Sequence, residues 1–142
     1  EKSSFSGPPF KLNIFNEIMQ LDYLKPQIKG YFLNDNLIAF SSYLSYKDKL
    51  YSYYIGLDYS FNKKYAVYSK ILYDTIEKGI KEGNNEIIFG RTASEFKSTF
   101  GAKPINSKSG LIVMNSLLNL ILKPFLKQIS PEKWIERSPF KS

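Results

Sequence analysis

Residues 50–89 constrain this chain more than any other stretch. Leu50–Leu57 is rich in Tyr and Ile and has the composition of a strand. A helix is predicted from about Lys63 to Glu82, followed by a short Gly83-Asn84-Asn85 loop and a strand over Glu86–Phe89. Two strands joined through a helix form a βαβ crossover, so they should lie roughly parallel in one sheet. Tyr68, Leu72, Thr75, Ile76, Gly79 and Ile80 recur at spacings of three and four, which predicts the core-facing stripe of that helix. Asn62 or Ser60 can cap its start. Lys78 and Lys81 suit the dipole in its last turn, and Gly83 suits the position just past its end.

The chain before this unit is antiparallel in pattern. Gly30–Leu33 and Leu37–Leu44 flank the turn-prone Asn34-Asp35-Asn36 and predict a hairpin. Ser45–Lys49 is a second polar turn leading into the Leu50–Leu57 strand. Further upstream, Phe10, Ile14, Ile18 and Leu21 predict an amphipathic helix that stops before Pro26. Residues 1–9 are polar and end in Gly7-Pro8-Pro9, a turn or linker.

Downstream, the apolar run Ile87–Phe89 breaks at Gly90-Arg91 and passes into a short helix predicted over Ser94–Phe100 and ended by Gly101. Open α/β sheets place ligands at the C-terminal ends of their strands. Pro104 follows, Gly110–Asn115 is a predicted last strand, and Leu117–Ile129 is very apolar with Pro124 inside it. That run is too short to span a bilayer. It is either a membrane-surface helix edged by Lys123 and Lys127 or a core helix kinked at Pro124. Residues 1–115 are expected to form one domain, with 116–142 as an apolar helix and tail packed on it.

The 142 residues are enough for one domain with a real core, being 43% hydrophobic. The chain starts at Glu1, which suggests a fragment of a longer protein. With no Cys and no His, thiolate, Ser-His and His-metal chemistry are excluded. Any catalysis falls to carboxylates, Tyr, Lys, Ser/Thr or backbone N–H groups. The net charge of +7 is either a solvated basic surface or the footprint of an anionic partner. Its lysines are dispersed, unlike a nucleic-acid-binding tail. No signal peptide or spanning segment is visible, so the cytoplasm is the expected location.

Several side chains could carry chemistry. Lys63 and Lys64, in the first turn of the predicted helix, either make an anion site with its free N–H groups or point into water. Arg91 could hold a carboxylate or phosphate, or pair with Glu95 or Asp58. Glu95 is a general-base candidate if burial raises its carboxyl, and otherwise a first-turn acid favouring the helix dipole. Lys97 lies two residues on, on another helix face. Asp58 and Tyr59, at the end of the central strand, are alternative polar actors. The Tyr residues of 43–54 alternate with strand period and suit sheet packing better than a stacking platform.

Taken together, Tyr53-Tyr54-Ile55-Gly56-Leu57-Asp58-Tyr59, Asn62-Lys63-Lys64-Tyr65, Leu72-Tyr73-Asp74, Phe89-Gly90-Arg91-Thr92-Ala93, Glu95-Phe96-Lys97 and Gly101-Ala102-Lys103-Pro104 resemble the Fem-related branch of the GNAT acyltransferases. The likeness covers about residues 28–105. Trp134–Lys141 is similar to the closing segment of such proteins. The resemblance implies an α/β fold: a mixed sheet, antiparallel first and then parallel around the long helix, lacking the first strand of the full fold. It implies acyl or aminoacyl transfer to an amine acceptor, from acyl-CoA or aminoacyl-tRNA, without a metal. Glu95 and Tyr59 would then be catalytic; Asp58, Asn62, Lys63, Lys64, Arg91, Thr92 and Lys97 would bind donor or substrate. Acetyl-CoA users of this fold carry a glycine-rich turn before the long helix. Here Asp58–Lys64 has no glycine, which hinders close approach of a pyrophosphate. Two other classes stay open: a non-catalytic lobe binding an anionic ligand or cell-wall precursor, and a nucleic-acid-binding module.

Overall fold

The computed structural model describes residues 12–90, 92–106 and 134–139. The chain divides into two compact units, one ending at Ala93 and one starting at Ser94. The first unit holds helix α1 (Leu12–Met19), a 3-10 turn (Asp22–Leu24), strands β1 (Gln27–Leu33), β2 (Asn36–Tyr46) and β3 (Lys49–Leu57), helices α2 (Tyr59–Tyr65) and α3 (Val67–Lys81), and strand β4 (Glu86–Ile88). The second holds helix α4 (Ser94–Ser98). Among the described residues the fold is mixed α/β, with one sheet of order β1-β2-β3-β4.

The sheet forms as the residue pattern predicts. β1, β2 and β3 meander antiparallel, and β4 joins β3 in parallel after the α3 crossover. The first hairpin turns on Asn34 and Asp35 alone, both left-handed (φ 48° and 64°), while Asn36 already pairs with Leu33. Two left-handed central residues match the twist of the flanking strands, and Asn and Asp tolerate that conformation.

The long helix differs from the sequence expectation. It is interrupted at Ala66, which is left-handed (φ 48°), so α2 and α3 are separate helices. The left-handed state costs a non-glycine residue about 1–2 kcal/mol. Asn62 offsets it: its backbone carbonyl accepts from Ala66 N at 2.8 Å, and its Oδ1 accepts from Tyr68 N at 2.8 Å. Asn62 therefore caps α3, while the Asp58 carboxylate caps α2 through Ser60 N. The break also rotates the buried stripe. Val67, Ile71, Leu72, Thr75 and Gly79 face the sheet, whereas Ile80 is 71% exposed. Val67 and Ile71 join Ile38 and Ala39 in the core, with Tyr31, Leu33, Ile55, Leu57 and Phe61 packed around them.

Asp74 sits on the buried face of α3, where an apolar residue would be ordinary. Its carboxylate accepts from Lys29 Nζ at 2.9 Å and from Lys70 Nζ. Burial pushes its pKa up, but the two lysine hydrogen bonds and the Lys29 charge outweigh that, and the net shift is down. A carboxyl depressed in the folded state stabilises the fold above its unfolded value of 3.8, and that stability is lost as pH falls through the folded value. Asp74→Ala should cost about 1–3 kcal/mol at neutral pH. Urea melts at neutral and acid pH check this, because the difference from wild type should shrink in acid.

Among the described residues the second unit holds one short helix whose last turn loosens: Phe100 N and Gly101 N bond three residues back, and Gly101 is left-handed (φ +83°). α4 thus ends at Ser98, and not at Phe100. The expected strand over 110–115, the apolar run 117–129 and the 1–9 segment lie outside the described residues, as does Arg91. No helix among the described residues is long and apolar enough to cross a membrane.

Candidate acyl-transfer site

The distinctive backbone feature is where β3 parts from β4. Their pairing covers only Lys49–Tyr51 against Glu86–Ile88. Gly90 (φ +72°) then turns the chain, while β3 runs on to Leu57, still paired with β2 on its other side. The β2–β3 register slips between Ser42 and Tyr43, leaving Tyr53 as an extra residue in β3. A bulge bends its strand and increases the local twist. Here it falls at the point where β4 stops. The buried Ser42 Oγ mends the ladder, accepting from Tyr54 N at 2.9 Å and donating to Tyr54 O at 3.2 Å. The parallel pairing with β4 thus ends at Tyr51, and β3 continues past it to Leu57. Sequence reasoning missed Ser42; the only cue was a Ser-Ser pair inside an otherwise apolar strand. Ser42→Ala should cost about 1–3 kcal/mol by removing both hydrogen bonds to the half-buried Tyr54 peptide groups, measured by equilibrium denaturation.

From Leu57 the chain enters α2, which carries most of the expected donor-side residues. Asp58 Oδ1 accepts from Ser60 Oγ at 2.7 Å and from Ser60 N at 2.9 Å, and these bonds hold its carboxyl below the usual range. Tyr59 is 45% exposed. Lys63 and Lys64 are exposed, but they occupy the last turn of α2 and not the first turn of α3. Cations there favour the helix dipole, so the expected pairing of lysines with free N–H groups does not form. Lys64 Nζ lies 5.0 Å from the Tyr65 ring centroid. At the start of α3 itself, the Asn62 side chain already takes the Tyr68 N–H that an incoming phosphate would use.

In the second unit, Glu95 is half-buried on α4. Its side chain is 44% exposed and pairs with Arg137, at 2.6 Å to Nη2 and 3.1 Å to Nε. Arg137 N also donates to the buried Ser98 Oγ at 2.9 Å, and Ser98 Oγ donates to Glu95 O at 2.7 Å. The segment 134–139 is thus fastened to α4. Arg137 went unrecognised because 42 residues separate it from Glu95. Lys97 is buried, and desolvation pulls its pKa from 10.5 to about 8. Thr92 is exposed just before α4. A cleft of about 300 Å³ between α3 and the sheet offers no net charge, since Lys78 pairs with Glu82 and Lys81 with Glu77 along its rim.

A meander, a crossover helix and a bulged central strand parting from its parallel neighbour define an acyltransferase type of fold. The acetyltransferase (GNAT) domain family matches residues 28–98, half of the chain, from β1 to the end of α4. The chain belongs to that family. Neither a curated protein nor a solved structure matches it. Family membership sets the reaction class as acyl transfer, from an acyl donor (acyl-CoA in GNAT domains generally) to an amine acceptor.

Proposed function

We propose that the chain transfers an acyl or aminoacyl group directly to an amine, within the Fem-related branch of the family. The observation that carries this reading is the parting of β3 from β4, whose parallel pairing stops at Tyr51 while β3 runs on past the Tyr53 bulge to Leu57. The cleft opened where the two strands diverge can receive the donor's carbonyl in an extended arrangement. The amine nitrogen attacks the carbonyl carbon, a C–N bond forms, and the C–S bond of a thioester or the C–O bond of an ester breaks. Glu95 takes the amine's proton, and the leaving group is protonated from water or from Tyr59. An amine attacks without prior activation by an imidazole, which accords with a chain lacking histidine.

Aminoacyl-tRNA suits the donor side better than acyl-CoA. The Asp58–Lys64 turn has no glycine, and Asn62 fills the α3 N-terminus. Lys63 and Lys64 are exposed cations for phosphate contact, with Arg91 and Thr92 orienting the substrate. Lys97 is left out of the phosphate contact, because a lysine 5% exposed does not reach a solvated phosphate. The acceptor is an amine of a cell-wall precursor in a bacterial cytoplasm. The same filled α3 terminus supports a second reading, a binding lobe without catalysis.

Thermal-shift titrations with deacylated tRNA and with acetyl-CoA separate these readings. A ligand at about 100 times its Kd stabilises by roughly 2.7 kcal/mol. Stabilisation by tRNA that falls steeply with salt, and weakens in Lys63→Glu/Lys64→Glu, supports the tRNA donor. Stabilisation by acetyl-CoA alone moves the chain to the acyl-CoA branch. Silence toward both overturns the donor-site assignment.

A further inference from the structure

We propose that Arg137 is a positioning residue for the transfer: it fixes the Glu95 carboxylate on α4 by one oxygen and leaves the other for the amine. The role builds on Glu95 as the group that takes the amine's proton. The two residues lie 42 apart in the chain. A ring of hydrogen bonds in the second unit brings them together. The fully buried Ser98 Oγ accepts from Arg137 N at 2.9 Å and donates to Glu95 O at 2.7 Å, and the Arg137 guanidinium closes the ring on the Glu95 carboxylate.

The manner of the grip carries the inference. Arg137 Nη2 and Nε both donate to the same atom, Oε1, at 2.6 Å and 3.1 Å. A guanidinium more often spreads its fork over both oxygens of a carboxylate. Here one oxygen takes both donors, and Oε2 lies outside the fork. A carboxylate held in this way loses its freedom to rotate and keeps one oxygen as a proton acceptor. The Glu95 side chain is 44% exposed, within reach of an amine arriving from solvent.

Anchoring and grip are separate. The Arg137 backbone is tied to Ser98, one helical turn from Glu95 and on the same face of α4, and that bond needs no side chain at 137. The Arg137 side chain is 61% exposed, and an ion pair so open to water adds little to stability. The guanidinium therefore orients more than it stabilises. Lysine is a poor substitute, because its ammonium is a point charge on a flexible stem without the planar pair of N–H donors. A reacting group displaced by about 1 Å loses about a hundredfold in rate, which sets the size of the effect when its support is removed.

Single-turnover kinetics of the 142-residue chain test the role, with acetyl-CoA and an aminoacyl-tRNA as donors and a lysine-containing peptide as acceptor. Arg137→Ala should slow amide formation about a hundredfold at saturating acceptor, and Arg137→Lys should recover only part of that loss. In a Glu95→Gln background, Arg137→Ala should change the rate by less than about twofold, because the arginine acts only through the carboxylate. Trp134, the one tryptophan of the chain, reports the tail, and its emission should be the same in Arg137→Ala as in wild type. Four results would overturn the role in an active protein: an Arg137→Ala variant as fast as wild type, full recovery by lysine, a loss that persists in Glu95→Gln, or a Trp134 emission shifted to longer wavelength in Arg137→Ala. Wild type that forms no amide from either donor overturns the transfer itself, and the role with it.

Discussion

Ile71→Ala will lower the free energy of unfolding by about 2–5 kcal/mol, and Ile80→Ala will change it by less than about 0.5 kcal/mol. The two isoleucines share α3 and are chemically alike. Ile71 is fully buried against Ile38 and Ala39, whereas Ile80 is 71% exposed. Removing the Ile71 side chain leaves a cavity that close-packed neighbours fill only in part. Removing Ile80 exposes nothing new. Urea denaturation of both variants reads the difference directly. Equal costs would mean that the helix faces the sheet as its sequence periodicity alone suggests.

Lys97→Met should abolish a rise in stability of on the order of 3 kcal/mol that the wild type shows between about pH 8 and 10.5, the window opened by a pKa lowered from 10.5 to about 8. Methionine keeps the apolar stem and removes the charge. The pH dependence carries a sign of its own. Between about 8 and 10.5 the unfolded chain holds a proton on Lys97 that the folded chain has released. Wild-type stability should therefore rise as pH climbs through that window, and the rise should vanish in the variant. Chemical denaturation at neutral and alkaline pH checks both statements. A wild type whose stability does not rise across that window would show that Lys97 is not desolvated in solution.

Most of the sheet was legible in the chain itself. The β-rich runs, the Asn34-Asp35 turn and the strand–helix–strand order between 50 and 89 are short-range signals, and each leads to the element found. α3 was legible as a helix but not in its start or its rotation. Ala66 carries no mark of a left-handed residue, and the Asn62 side chain that makes the break tolerable works six residues away. The misreading of Lys63 and Lys64 follows from that one break: the same two cations lie at a helix start in one reading and at a helix end in the other.

The site was legible only in part. Asp58 at the strand end was visible as a polar residue in the right place, and it proves to be a helix cap. The Tyr53 bulge was not visible, because nothing local sets Ser42 opposite Tyr54; the pairing of β2 with β3 does that. Arg137 on Glu95 and Lys29 on Asp74 are likewise contacts between residues distant in sequence. In each case the missing information was tertiary, not a propensity misjudged.

Direct transfer is the central claim, and one assay tests it. The protein is incubated with a radiolabelled aminoacyl-tRNA or acetyl-CoA and primary amines that include a peptidoglycan-precursor lysine, with amide product and intact protein mass followed in a single turnover. The account predicts amide formation with no acylated protein at any time, slowed in Glu95→Gln. An acyl-enzyme that appears before product, or no amide from either donor, would contradict it.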